Sequence, residues 1–298
     1  MDLKAAETVV TGPTRARAAD YVTLTKPRLN MLVIASAMVG FVMGGGPLWN
    51  VRLVLMTLVG TALVAGGASA FNQVIERARD ARMERTRLRP MADRRLQPFE
   101  GILFGAAISA TGLALLAFGV NVLSASVAAS TLLTYALIYT PLKPHTSFAT
   151  VVGAVPGALP PVIGWAAATG TLSRGGWVLF GIVFLWQLPH FLAIAWMYRE
   201  DYARAGFPML PVIDPDGRST ARQALVYAAA LLPMSLTPTL IGMATTTYFV
   251  GALILTLLFL GLAIRFAITR HRTDARRLFF GSITYLPLLW ILMIAGRT

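Results

Sequence analysis

The sequence contains no cysteine, and its 298 residues include only 13 aspartates and glutamates against 26 lysines and arginines. Without cysteine the chain has no disulfide bonds, no thiolate metal sites and no covalently attached c-type haem. Charged residues make up 13% of the chain, whereas hydrophobic residues make up 56% and the mean hydropathy is +0.66. Soluble domains do not have this composition, so the sequence predicts a polytopic membrane protein.

Apolar segments of membrane-spanning length occur nine times, and each predicts a transmembrane helix. They fall near residues 29–46, 52–74, 101–119, 121–140, 151–170, 176–197, 222–242, 246–268 and 278–296. We therefore expect an all-α fold with one transmembrane domain over residues 21–298. Residues 1–20 are polar and lack the apolar core of a signal peptide, so we expect a flexible cytoplasmic tail there.

The basic residues are distributed unevenly between the two sides of this predicted bundle. With the N-terminus inside, all but three of them lie on the inner side, the exceptions being Arg52, Arg174 and Arg297. This bias predicts a cytoplasmic N-terminus and a C-terminus on the opposite side, in a bacterial inner membrane. The high net charge then reflects topology, and no nucleic acid partner is needed. All 13 acidic residues also fall on the inner side, which places the polar chemistry at the cytoplasmic face.

The stretch from Phe71 to Pro90 combines acidic residues with a high density of arginine. Asn72, Glu76 and Asp80 are spaced four residues apart, so on a helix they lie on one face, drifting by about 40° per step. Six arginines accompany them: Arg77, Arg79, Arg82, Arg85, Arg87 and Arg89. Two interpretations are open from spacing alone. The stretch is either a Mg²⁺ and diphosphate site or a basic membrane-flanking loop with incidental acids.

Motifs along most of the chain make the first interpretation specific. The Asn72, Glu76 and Asp80 spacing at the end of a second transmembrane helix resembles the first acidic motif of the UbiA superfamily of intramembrane prenyltransferases. Other matching stretches, in order, are Tyr21–Arg28, Met83–Pro90, Tyr139–Lys143, Gly157–Trp165, Trp186–Phe191 and Asp201–Val212. Several of these look like the haem O synthase branch (protohaem IX farnesyltransferases) of that superfamily.

The resemblance implies a reaction, its cofactor and its partners. It implies that Mg²⁺ binds farnesyl diphosphate, and that the farnesyl group is transferred to a vinyl group of haem b, with water completing the product, haem O. Haem b is then a substrate and not a resident cofactor. Both substrates are largely apolar and would enter a pocket open to the lipid bilayer. Haem A synthase or oxidase assembly proteins are implied as further partners.

The resemblance also assigns candidate roles to individual residues. The metal ligands are expected to be Asn72, Glu76, Asp80 and, from a second cluster, Asp201, with Glu200 as the alternative there. Tyr139 and Lys143 complete the catalytic set. Candidate substrate-binding residues are Lys26, Arg28, Arg85, His190, Trp186 and Gln187. Fixed cations suit this chemistry because negative charge accumulates on the departing diphosphate.

His190 is predicted to lie within the sixth transmembrane helix, about 12 Å from its inner end. Ionisable residues at such depth are usually functional, so we expect His190 to orient haem, through weak axial ligation by neutral imidazole, unless it serves in helix packing. Two departures from the superfamily pattern are Ala78, where an acid is common, and Ala205, four residues after Asp201. Ala78 points away from the Asn72 face, so the main metal site should be spared.

Other functions remain as alternatives. Within the superfamily, an aromatic or quinone acceptor could replace haem. A transporter would suit the many helices, but it needs polar groups reachable from both sides, and the outer side is nearly bare. A haem-binding assembly factor would not need the Asn72, Glu76 and Asp80 set. A CDP-alcohol phosphotransferase is excluded because the spacing after Asp216 is wrong and no acid follows before Asp274.

Overall fold

The computed structural model describes residues 13–298, with side chains from residue 17 onward. Residues 1–12 of the predicted tail lie outside this described part. The first eight α-helices are α1 (Pro13–Leu24), α2 (Pro27–Met43), α3 (Val51–Asp80), α4 (Pro98–Gly119), α5 (Val122–Leu133), α6 (Thr140–Leu142), α7 (Ala149–Ala158) and α8 (Pro160–Thr169). A π-helical turn, Thr134–Tyr139, joins α5 to α6.

The second half of the described chain is also helical. Its elements are α9 (Arg174–Met197), α10 (Arg199–Arg204), α11 (Leu210–Ile213), α12 (Arg218–Leu240), α13 (Thr246–Thr269) and α14 (Arg272–Ala295). In the described residues, eight helices or continuous helix pairs are long and apolar enough to span a membrane. The pair α1 and α2, which bends by 43°, forms a ninth. The predicted all-α membrane bundle is confirmed.

Residues 13–20 of the predicted tail are helical and belong to α1. Asp20 is buried and forms an ion pair with Arg95, and Arg17 forms another with Glu100. These ion pairs attach α1 to the segment between α3 and α4, through Arg95, and to the first turn of α4, through Glu100. They join residues 75 and 83 positions apart, so local sequence could not reveal them.

Glycines allow two helices to pack with their backbones in contact, and this fixes the middle of the bundle. A Cβ atom on Gly40 of α2 would lie 1.9 Å from the carbonyl oxygen of Pro161, and one on Gly164 of α8 would lie 1.8 Å from that of Ala37. Small residues at helix interfaces permit this approach in membranes, where packing replaces the hydrophobic effect. α2 and α8 therefore form a closely packed pair.

The largest buried cluster is formed mainly by α9, α12, α13 and α14, with α9 packed against both α12 and α14. On the other side α3 packs along α4. At one end of the molecule Arg297 donates to the carbonyl of Val42 at 2.7 Å. The opposite end contains the C-terminus of α3, and there the loops converge on the candidate site.

Candidate active site

Asn72, Glu76 and Asp80 all lie within α3, in its last three turns, so the predicted common face is present. Each side chain is at most 3% exposed. A buried amide and two buried carboxylates would be costly without partners. Since all three lie near a helix end that is joined to polar loops, partners can reach them from several segments of the chain.

Each of these three side chains contacts a different cation. The Lys26 ammonium donates to Asn72 Oδ1 at 2.7 Å. Lys143 donates to both carboxylate oxygens of Glu76, at 3.0 and 3.1 Å. The guanidinium of Arg89 donates to Asp80 Oδ2 at 2.8 Å. The site is therefore an alternating array of oxygen ligands and cations, drawn from four parts of the sequence.

The backbone at Lys26 directs this residue into the site. Lys26 adopts a left-handed conformation, with φ of 49°, between α1 and α2. Residues other than glycine pay a conformational penalty there, and such strain is concentrated at functional sites. Pro27 begins α2 immediately afterwards, so the bend between the helices occurs at the lysine that contacts Asn72. The amide of Asn72 is also fixed from its other side, since Nδ2 donates to Thr140 Oγ1 at 3.3 Å.

Lys143 follows the fourth span and remains positively charged. Burial by itself would lower the pKa of Lys143, but the neighbouring Tyr139 and Glu76 side chains raise it above its ordinary value. The ammonium also lies 4.5 Å from the centre of the Phe207 ring, a cation–π contact. Tyr139 packs against Gly153, where an added Cβ would lie 2.5 Å from the tyrosine ring. Tyr139 and Lys143 therefore lie next to each other on one short segment, and their catalytic roles stay predictions.

The second acidic cluster lies on α10, which begins after α9 ends at Met197. Asp201 is buried, whereas Glu200 is exposed, so Asp201 is the residue that faces the protein. It pairs with Arg204, whereas Glu76 and Asp80 pair with Lys143 and Arg89. Among the described side chains, no three His, Cys, Asp or Glu residues gather closely enough to hold one metal ion. A metal ion would therefore need the amide of Asn72 or substrate oxygens as further ligands.

Arg85 links the loop after α3 to α10. It donates to the Tyr202 hydroxyl at 3.3 Å, and its guanidinium lies 5.3 Å from the centre of the Tyr198 ring. Arg28, by contrast, is exposed on the first turn of α2, and it makes no side-chain hydrogen bond or ion pair within the described residues. The structure therefore joins Arg85 to the second cluster and leaves Arg28 at the surface.

His190 lies on the face of α9 that packs against α14. Its Nδ1 atom is 2.7 Å from the hydroxyl of Ser282, which in turn donates to the carbonyl of Phe279 at 2.5 Å. Because the serine proton is used in that bond, the hydroxyl accepts from Nδ1–H and the Nε2 lone pair is left free. The imidazole is stacked between Trp186 and Phe279, at ring distances of 5.3 and 5.1 Å.

Trp186 and Gln187 are both buried and bonded to neighbouring helices. Trp186 donates to the Ser282 carbonyl at 2.8 Å, and Gln187 donates to the Ala154 carbonyl at 2.7 Å. The Gln187 side chain also fills the space above Gly157, where a Cβ would lie 2.3 Å from it. In this structure Trp186 supports the imidazole, and Gln187 holds α7 against α9.

Sequence reasoning missed several members of the site. The sequence patterns give Arg89 no role beyond its membership in a group of arginines, and they assign no role to Thr140, Phe207 or Ser282. Arg89 and Thr140 belong to the quoted stretches Met83–Pro90 and Tyr139–Lys143, so the signal was present for them. Nothing in the local sequence marks Ser282, which is 92 residues from His190.

The profile of the UbiA prenyltransferase family matches residues 33–286 of this chain. The chain belongs to that family. Among curated relatives, the protoheme IX farnesyltransferase of Solibacter usitatus is 50% identical, with 93% of this chain and 98% of that protein covered. The protoheme IX farnesyltransferase of Koribacter versatilis is 42% identical, with 94% and 93% covered. Relatives this similar over nearly their whole length share the fold of this chain.

Solved structures agree on the UbiA architecture. A digeranylgeranylglyceryl phosphate synthase superposes with a TM-score of 0.79 at 14% identity, covering 94% of this chain and 98% of that one. A UbiA homologue from Archaeoglobus fulgidus bound to GPP and Mg²⁺ superposes with a TM-score of 0.64 at 15% identity, covering 92% and 99%. At these identities the likeness establishes the fold, and the chemistry is argued from the residues.

Proposed function

We propose that this UbiA family member transfers the farnesyl group of farnesyl diphosphate to a vinyl group of haem b, with addition of water, to give haem O and diphosphate. The observation that carries this proposal is the similarity over nearly the whole chain to proteins named protoheme IX farnesyltransferase, at 42–50% identity for the first two. The buried array around Asn72, Glu76 and Asp80 supplies the chemistry that the reaction requires.

The oxygen atoms of Asn72, Glu76 and Asp80 suit a hard divalent cation, and we assign Mg²⁺ to them. Asp201, which pairs with Arg204 in this structure, would be a further ligand from the second cluster. When bound, the cation would neutralise charge on the diphosphate and so favour its departure. All-oxygen ligands on one buried helix face fit this ion. The cations that now occupy those oxygens, on Lys26, Lys143 and Arg89, would then be free to bind phosphate oxygens.

The chemical step divides into bond cleavage and bond formation. The bond between C1 of the farnesyl group and the diphosphate oxygen breaks, and the electron pair leaves with diphosphate. The terminal carbon of the haem vinyl group attacks the resulting allylic cation at C1, which forms a carbon–carbon bond and moves the positive charge to the vinyl carbon next to the ring. Water adds to that carbon and loses a proton. Lys143 and Arg89 would stabilise the departing charge, because it is greatest in the transition state.

Haem binding is assigned to the His190 region. The neutral imidazole of His190, with an unprotonated Nε2, is the form that can ligate haem iron. Ser282 and Phe279 hold the ring in place. Trp186 extends this aromatic surface on α9. Arg28, exposed near the start of α2, would meet a substrate at the entrance of the site. Gln187 contributes indirectly by holding α7 and α9 together.

The bundle would lie in a bacterial inner membrane, with the N-terminus and the diphosphate site at the cytoplasmic face. The bias of basic residues toward that end supports this orientation. Farnesyl diphosphate would then reach Lys26 and Lys143 from the cytoplasm, while its chain and haem b enter from the bilayer. Delivery of the product to haem A synthase or to oxidase assembly proteins remains a prediction.

Complementation provides the test. The chain would be expressed in a bacterium that lacks its own haem O synthase activity, and extracted haems would be separated by chromatography. We expect haem O with the wild-type chain and only haem b with a Glu76→Gln variant present in the membrane at the same level. Haem b alone from cells with wild-type protein in the membrane would contradict the proposed function.

A further inference from the structure

A cavity of about 270 Å³ lies between α7, α9 and α12, and the site described above does not use it. Leu188 and Leu192 of α9 and Leu210 of α11 are among its lining residues. On a helix, Leu188 and His190 point about 200° apart, so this cavity and the imidazole lie on different faces of α9. Phe148, another lining residue, is 60% exposed, which places the opening at the outer surface of the bundle.

Four neutral polar side chains line this cavity without partners. Ser147, Thr150, Gln223 and Tyr227 make no side-chain hydrogen bond to any other part of the described chain. Ser147, Gln223 and Tyr227 are partly exposed, but Thr150 is only 9% exposed, so little bulk solvent reaches its hydroxyl. Polar groups in such places are normally bonded, since an unpaired one loses its hydration without compensation. Hydroxyls and a carboxamide can both donate and accept, and none of the lining residues is charged.

The rest of the lining is apolar and sets the size of the ligand. Phe148, Val151, Leu188, Leu192 and Leu210 supply it. An apolar cavity of about 150 Å³ holds one benzene ring, so this cavity can hold a short length of chain but not a porphyrin. The absence of charge in the lining disfavours a phosphate or carboxylate head, because a buried anion needs a partner.

We infer that this cavity binds an uncharged single-chain amphiphile from the membrane, with a hydroxyl or carbonyl head at Thr150, Gln223 and Tyr227 and its chain along Leu188 and Leu192. The inference goes beyond the proposed reaction and does not depend on it. An occupant would connect α7, α9 and α12, next to the point where Gln187 bonds to Ala154. The ligand is either an isoprenoid alcohol or an acylglycerol, because both carry an uncharged polar head on an apolar chain.

A groove between α4 and α5 provides an internal comparison. It has a volume of about 340 Å³ and is lined by Leu113, Ala114, Ala117, Phe118, Val122, Ala125, Ser126 and Ala129. Its single polar side chain, Ser126, already donates to the Val122 carbonyl at 2.8 Å. This groove can accept lipid chains, but it offers no free polar group to a head. It should therefore not select for a hydroxyl.

The test uses the full chain in phosphatidylcholine nanodiscs, with a long-chain alcohol that carries a photoactivatable diazirine. Peptide mapping after illumination should find labelling concentrated on the residues that line the cavity. Thr150→Val removes one hydroxyl at nearly constant volume and should weaken binding about fivefold. Leu192→Phe should reduce labelling of the cavity by filling it. The matched change Ala117→Phe, in the groove between α4 and α5, should leave labelling of the cavity unchanged. Thermal unfolding would verify that each variant is folded.

Competition with unlabelled ligands identifies the chemical class of the bound amphiphile. Farnesol as the better competitor would support an isoprenoid, and monoolein as the better competitor would support an acylglycerol. Three outcomes would overturn the inference. Labelling could be spread evenly over the cavity and the groove between α4 and α5, or it could be unchanged by both Thr150→Val and Leu192→Phe. The third is that a fatty acid carboxylate competes as well as the uncharged ligands. If Leu192→Phe does not fold, the effect of Thr150→Val on labelling alone tests the inference.

Discussion

The ammonium of Lys143 lies within 3.1 Å of both carboxylate oxygens of Glu76, and the two side chains are 13% and 3% exposed. This ion pair joins the end of the fourth span to α3, and it engages a carboxylate that we assign to a metal ion. Two buried charges stabilise the protein only together, and loss of one partner typically costs about 3–5 kcal/mol. In the proposed reaction, Glu76 would exchange Lys143 for the metal ion, and Lys143 would exchange Glu76 for diphosphate. Variants of this pair should therefore affect stability and turnover separately.

Glu76→Gln should abolish turnover while the protein still inserts in the membrane. It should also lower stability, because Lys143 loses its carboxylate partner. In the double variant Glu76→Gln with Lys143→Met, no buried charge is unpaired, so stability should recover while activity does not. Thermal unfolding and product formation measured on the same preparations separate these effects. Wild-type turnover in both Glu76→Gln and Asp80→Asn would refute the metal assignment.

Arg89→Gln should reduce turnover by at least tenfold, since the guanidinium that pairs with Asp80 would, in the proposed reaction, also neutralise the departing diphosphate. The matched control is Arg87→Gln, a change in the same loop at an exposed side chain that makes no hydrogen bond in the described residues. Steady-state kinetics with varied farnesyl diphosphate would compare the two. Equal activities of the two variants would remove Arg89 from the mechanism.

Ser282→Ala should release the imidazole of His190 from its hydrogen bond, and the ring would then lose its fixed tautomer. Haem binding, followed by optical titration, should weaken in Ser282→Ala and more strongly in His190→Ala. Binding of a non-hydrolysable farnesyl diphosphate analogue should change little in either variant. If both ligands bind equally poorly, then His190 has a structural role in packing α9 against α14.

Gly164→Ala should destabilise the bundle by about 1–3 kcal/mol or more, because the added methyl would collide with the Ala37 carbonyl of α2. Gly261→Ala is the control, since nothing lies within 4 Å of a Cβ built there. In a helix interior that change is neutral or stabilising by up to about 1 kcal/mol. Unfolding in detergent with a denaturant reports both. Equal stability of the two variants would mean that α2 and α8 do not depend on this close approach.

The sequence was sufficient for the membrane helices, because each must bury a long apolar segment and hydropathy records that directly. Thus the predicted segment 52–74 lies within α3, and 246–268 nearly coincides with α13. The common face of Asn72, Glu76 and Asp80 also followed from helical period alone. These features depend only on residues that are close together in the sequence, so one sequence is enough to predict them.

Contacts between distant segments could not be predicted in this way. The pairing of Lys143 with Glu76 spans 67 residues, and nothing local indicates which of the many cations meets that carboxylate. The attachment of α1 through Asp20 and Arg95 depends in the same way on long-range packing. The left-handed conformation of Lys26 is likewise set by the bend between α1 and α2 and by Pro27, which follows it.

The most direct test of the proposed reaction is mass analysis of haem after incubation with purified protein, farnesyl diphosphate and Mg²⁺ in water enriched in the heavy oxygen isotope. We expect haem b that has gained one farnesyl group and one hydroxyl carrying the heavy isotope, with no product when a chelator is present. Prenylation of a quinone precursor instead of haem would retain the diphosphate site and contradict the acceptor. Product formed equally well in the presence of chelator would contradict the metal site at Asn72, Glu76 and Asp80.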